Sequence, residues 1–162
     1  LSKAQSGLDN LGLINFDLKK TTHEVLTRFK YFEDSLGYRF ILNSFGETSA
    51  SGDETKIQQV IYNLISNAVN YSADNKEIII NIKGEDNGVY LEVIDHGIGI
   101  KEEELENIWD RYYKVGKNYK RSSTGSGIGL SIVKAILIAH KAEYGVESQY
   151  GKGSRFYFKL KK

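Results

Sequence analysis

Three asparagines, Asn63, Asn67 and Asn70, recur at intervals of four and three within residues 54–71. At about 100° per residue they gather on one helix face with Gln59 and Ser66, opposite an apolar face of Ile57, Ile61, Leu64, Ile65 and Ala68. A solvated face usually carries Lys and Glu, and asparagine is a poorer helix former. Such a face is expected to meet something other than water. An amide oxygen suits a hard cation such as Mg²⁺ and, being neutral, does not repel a polyphosphate beside it. A polar face with no ligand is the alternative.

Downstream, Asp95-His96-Gly97-Ile98-Gly99-Ile100 runs from an apolar strand into a turn with two glycines. Glycine permits positive φ and close approach to the backbone, and a carboxylate there can accept a hydrogen bond from an exocyclic amine. A plain β-turn gives the same pattern. Gly125-Ser126-Gly127-Ile128-Gly129-Leu130 opens an apolar helix. Free N–H groups and the positive end of the dipole at such a start attract anions. The run is not a Walker loop, because no Gly-Lys-Ser/Thr closes it, nor a dinucleotide fingerprint, since no strand precedes it. A linker that caps a helix is the bland reading. Between these segments lie Lys114, Lys117, Lys120 and Arg121, with no acidic residue from 114 to 127. This stretch could hold phosphate as a mobile lid or be a solvated loop.

The elements that must position these groups follow from periodicity. A helix is expected around Leu18, Val25, Leu26, Phe29 and Phe32, with Thr21–Thr22 as start signals. Tyr38–Leu42 reads as a strand and residues 43–53 as a turn-rich loop whose Asp53 caps the helix Glu54–Tyr71. Strands at Glu77–Lys83 and Val89–Asp95 flank the turn signal Glu85-Asp86-Asn87-Gly88. A helix Glu102–Tyr113, a helix Gly129–His140, and strands near Glu143–Ser148 and Arg155–Leu160 complete the chain. Residues 1–13 read as a helix tail and connector. The expectation is an α/β fold, a two-layer sandwich of about five mixed strands with three to four helices on one face.

Composition narrows the function classes. The 162 residues fit one domain, and 22 basic against 21 acidic residues leave a charge of +1, which argues against nucleic acid as a partner. Without cysteine there is no disulfide, iron–sulfur cluster or thiolate metal site. No run is apolar enough to span a bilayer, and no signal peptide is evident. Lacking a first methionine, the chain reads as an excised, soluble fragment.

In this order and spacing the segments resemble the boxes of the ATP-binding domain of sensor histidine kinases, the Bergerat fold shared with gyrase-type ATPases. The first box is Gln59–Ser72, the second Asp95–Gly99 and the third the aromatic Ile108-Trp109-Asp110-Arg111-Tyr112-Tyr113-Lys114-Val115. The glycine box Gly125–Leu130 and a closing Gly151-Lys152-Gly153-Ser154-Arg155-Phe156 complete the set. The resemblance covers residues 14–162, with 1–13 similar to the tail of a dimerisation helix.

The resemblance implies ATP and Mg²⁺ as cofactors. Asn67 would ligate Mg²⁺, assisted by Asn63. Asp95 would take the adenine amine, Gly97 and Gly99 would shape the turn beneath the base, and Gly127 and Gly129 would face the phosphates. Lys114 would sit near the γ-phosphate and act with Asn63 in catalysis, while Tyr71 would line the nucleotide. The implied binding set further includes Asn70, Ile100, Tyr113, Gly125, Ser126, Ile128, Leu130 and Ser154. Four departures stand out: Asn70 where many relatives carry Lys or Arg, His96 where Asn is usual, Lys101 in place of a proline, and His140-Lys141-Ala142 for His-Gly-Gly.

Implied partners are the chain's own phosphoacceptor and dimerisation domain and a response regulator, within a homodimeric parent anchored in the bacterial membrane, this domain being cytoplasmic. His23-Glu24 is superficially similar to a phosphoacceptor motif. The motif's proline is missing, since the chain has no proline at all, and His23 is expected to be an ordinary surface residue. Related alternatives are a gyrase-type ATPase, an anti-sigma serine kinase and a degenerate nucleotide-binding module. Hydrolysis is disfavoured, because a general-base glutamate would stand at the position of Asn63, and an amide cannot take a proton from water.

Overall fold

A computed structural model describes residues 10–110 and 129–162. The elements are β1 (Ile14–Asp17), α1 (Leu18–Thr27), α2 (Lys30–Leu36), β2 (Arg39–Phe45), β3 (Ser49–Gly52), α3 (Glu54–Tyr71), β4 (Glu77–Glu85), β5 (Gly88–Asp95), a 3₁₀ turn (Glu102–Glu104), α4 (Gly129–Ala139), β6 (Glu143–Gln149) and β7 (Gly153–Lys161). The main sheet has the order β2-β4-β5-β7-β6; β2 runs parallel to β4 and the other pairs are antiparallel. A separate ribbon pairs β1 with β3.

Strand alternation decides which face the helices cover. Ile78, Ile80 and Ile82 of β4, Leu91 and Val93 of β5, and Phe156, Phe158 and Leu160 of β7 are buried. They meet Ile57, Val60, Ile61, Leu64, Ile65, Ala68 and Val69 of α3, the apolar face seen in the sequence with two valines added. This is the expected two-layer α/β sandwich. The opposite sheet face carries a polar ladder. Asn43 bonds Asn81, Asn81 bonds Glu92, and Arg155 joins Glu92 to Glu147 while lying over Tyr90 and Tyr157. Every rung is paired, so this face needs no second helical layer.

Several local expectations are corrected. The first helix starts at Asp17, whose Oδ1 accepts the Lys19 N–H at 3.0 Å, and not at Thr21–Thr22. Both threonines are buried inside α1, where Thr21 donates to Glu54 and Thr22 to the Leu18 carbonyl. The segment then breaks into a second helix that ends on Gly37 at φ +78°. The loop expected over 43–53 is mostly strand: β2 extends to Phe45, and Ser49–Gly52 pairs with Ile14–Asp17. Small polar residues carried no strand signal there; pairing with β1 supplied the order.

The helix expected from Glu102 is only a 3₁₀ turn followed by successive turns up to Asp110, held by bonds such as Asn107 N–H to Glu104 O at 2.9 Å. Glu102 and Glu106 would lie one above the other as like charges on an α-helix. Burial of Ile108, and edge contacts of Trp109 with Tyr144 and Phe156, fix the path instead.

Candidate functional site

The site forms where α3, the β5 turn, the start of α4 and the β6–β7 hairpin converge. Asp53 caps α3, its Oδ1 accepting from Lys56 N–H at 3.3 Å and its Oδ2 from Gly12 N–H at 3.0 Å. With the apolar face committed to the core, Asn63, Ser66, Asn67 and Asn70 are left half-buried on the other side, while Gln59 is exposed. Asn63 Nδ2 donates to the Gly129 carbonyl at 3.3 Å, joining α3 to the first residue of α4. Two motifs 66 residues apart thus meet directly.

The second junction is at the other end of α3. The Tyr71 carbonyl accepts from Ile98 N–H at 3.1 Å, and a Cβ at Gly97 would collide with that same carbonyl. Only glycine lets the turn lie this close to the helix end. Gly99 adopts φ +71°, a Cβ there would collide with the Gln149 carbonyl, and Ile98 O accepts from Gly151 N–H at 2.6 Å. Ile100, itself buried, donates its N–H to Ser148 Oγ at 2.7 Å.

Asp95 ends β5 with only 3% of its surface exposed. Its register partners are Ile78 on one side and Ser154 on the other. Its Oδ1 accepts from Gly97 N–H at 2.9 Å. Burial raises its pKa to about 6, against the opposing pull of the Gly97 N–H, the His96 charge and the Ser154 N–H. A carboxylate kept this dry, with its pKa displaced upward, is a functional-site candidate.

The donor set bears on a metal. Among the described residues no cluster of three or more His, Cys, Asp or Glu could hold a cation. The half-buried Asn67 makes no side-chain hydrogen bond among them. Asn63 spends its Nδ2 on Gly129, and its Oδ1 has no hydrogen-bond partner among the described residues. A Mg²⁺ that keeps waters and phosphates as most of its ligands needs few protein oxygens, and the hard amide oxygens of Asn63 and Asn67 can supply them. The residues present fit a cation that arrives with a polyphosphate.

The structure therefore brings Asn63 to Gly129, Tyr71 to Gly97, and Asp95 to Gly97 and Ser154, with Asn67 and Asn70 on the same helix face as Asn63. Leu130 and Tyr71 are partly buried against the core. Tyr113, Lys114, Gly125, Ser126, Gly127 and Ile128, and with them the expected lid, lie outside the described residues. His23 and His96 are exposed. His140 is structural: its Nε2 accepts the Asp53 N–H at 3.0 Å and its Nδ1 contacts the Ile136 carbonyl at 2.8 Å. Sequence reasoning missed Ser148, a lone serine at the end of a strand with no motif around it.

Residues 52–162 match the family model described as histidine kinase-, DNA gyrase B-, and HSP90-like ATPase. The chain belongs to this family. It is 35% identical over 117 residues, 72% of its length, to the sensor histidine kinase RppB of a Synechocystis strain. It is 38% identical over 110 residues, 67% of its length, to the sensor histidine kinase WalK of Bacillus subtilis. The matches span 26% and 18% of those proteins, about a quarter or less of their length. The solved catalytic domain of the histidine kinase ThkA superposes with a TM-score of 0.81 at 27% identity, covering 94% of this chain and 97% of that one. Among the described residues no helix is long and apolar enough to cross a membrane.

Proposed function

We propose that this domain binds Mg-ATP and passes the γ-phosphoryl group to a histidine on a separate dimerisation domain of a two-component sensor kinase. The observation that carries the reading is the buried Asp95 at the floor of a glycine-shaped turn, docked on the end of the asparagine-bearing helix. In this reading Asp95 accepts the adenine amine and Tyr71 lines the nucleotide. Asn67, with Asn63, holds Mg²⁺, which when bound neutralises charge on the phosphates. Phosphoryl transfer is mostly positioning plus charge stabilisation. Gly127 and Gly129 amides and Lys114 supply the latter around the transferred group. Asn63 ties the start of α4 to α3. Being an amide, it cannot activate water as a base, which favours transfer over hydrolysis.

The nucleophile is expected from outside these residues. His23 and His96 are exposed and His140 is engaged by Asp53 and Ile136. The further partners in this reading are the phosphoacceptor helices and a response regulator, in a homodimeric, membrane-anchored parent whose kinase domain is cytoplasmic. Incubation with γ-labelled ATP should give no acid-labile label on this chain alone, and label on separately supplied dimerisation helices. Label on the chain itself that disappears in His23→Ala would overturn the proposal. Absence of label on the helices under every condition would favour a degenerate binding module.

A further inference from the structure

Ser148 sits at the centre of a hydrogen-bond cluster beside Asp95. Its Oγ lies 2.7 Å from Ile100 N, 2.8 Å from Gly153 O and 2.8 Å from Ser154 Oγ. A serine hydroxyl has one proton and two lone pairs, so these contacts fix where the protons lie. Ile100 N–H can only donate and the Gly153 carbonyl can only accept. The Ser148 proton therefore goes to Gly153. The Ser154 hydroxyl must then donate to the second lone pair of Ser148. The reverse arrangement would set a lone pair against the Gly153 carbonyl oxygen.

The consequence reaches the site. Ser154 is the register partner of Asp95, and both are buried, in phase with Val93 and Phe156 on the helix-covered side of the sheet. With its only proton spent on Ser148, Ser154 Oγ offers acceptors alone. The Asp95 carboxylate, when ionised, is also acceptor-only. Two neighbouring groups that can only accept match an amine and oppose a carbonyl.

We infer that Ser148 is a specificity-determining residue, acting through Ser154 to make the site select a 6-aminopurine nucleotide over a 6-oxopurine one. This rests on the reading of Asp95 as the base-recognition group. Ser148 itself touches no ligand; it positions the Ser154 proton. In Ser148→Ala, Ser154 regains a free proton and can donate to an oxo group, so rejection of the wrong purine weakens.

The test is a competition titration of the 162-residue chain with ATP and with its 6-oxo counterpart, inosine triphosphate. The wild type should prefer ATP, and Ser148→Ala should narrow that preference by roughly three- to tenfold, the equivalent of one hydrogen bond. Ser148→Thr, which keeps the hydroxyl, should retain the preference. In a Ser154→Ala background, Ser148→Ala should change the ratio no further. If Ser148→Ala weakens both nucleotides equally, Ser148 is only a structural brace and the inference fails, while the reading of Asp95 survives. If the wild type does not distinguish the two nucleotides, both fail together.

Discussion

Asp53, at the start of α3, and Asp95, at the end of β5, have opposite electrostatic fates. At the start, Asp53 is half-exposed and accepts N–H groups from Gly12 and Lys56. Burial pushes its pKa up, but those two N–H groups and the Lys56 charge outweigh it, and the value falls below the ordinary 3.8. At the end of β5, Asp95 is buried and receives too little compensation, so it rises to about 6. The helix dipole also favours the negative charge of Asp53 at the start of α3. Asp53 stabilises the fold. Asp95 is a local cost that the rest of the core offsets, as is common where a residue is kept for binding.

The largest test of this contrast is pH. Between pH 3.8 and about 6 the folded chain holds a proton on Asp95 that the unfolded chain has lost. Its contribution to stability therefore falls as pH rises through that window, and the full cost is present above it. At about 1.4 kcal/mol per unit this is on the order of 3 kcal/mol. Denaturant unfolding of Asp95→Asn against wild type should show the variant gaining relative stability from pH 4 to pH 7. A constant difference across that range would mean Asp95 is not strained by burial. Asp53 has the reverse sign: its contribution is present above 3.8 and is lost as pH falls through its lowered folded value.

Next comes ligand affinity. Asp95→Ala should weaken ATP binding by about 10- to 150-fold, the cost of a lost charge-assisted hydrogen bond, without unfolding the chain. Equal calorimetric affinity for wild type and variant would remove Asp95 from the site. The smallest effect belongs to the cap. Asp53→Ala should cost about 0.5–2 kcal/mol of stability while leaving nucleotide affinity within about twofold, a change of roughly 0.4 kcal/mol. A large loss of affinity in that variant would show that the first turn of α3 and the site are coupled more tightly than the contrast allows.

What the sequence determined by itself was whatever repeats at short range. The periodicity of Ile57, Ile61, Leu64 and Ile65 gave α3 to the residue, with its cap at Asp53. Alternation around Asp86-Asn87 gave β4 and β5, each extended by a residue or two. The asparagine face and the Asp-x-Gly-x-Gly turn were legible because each is a local pattern of residue types. Tertiary structure decided the rest. Ser49–Gly52 is a strand because β1 lies beside it, and Glu102–Asp110 avoids an α-helix because Ile108 and Trp109 are pulled into the core. Gly97 must be glycine because the Tyr71 carbonyl, 26 residues earlier in the sequence, occupies the space of its side chain. Ser148 becomes part of the site only when three backbone segments close around one hydroxyl. Burial, close approach and proton direction depend on residues far apart along the chain, and a local pattern cannot encode them.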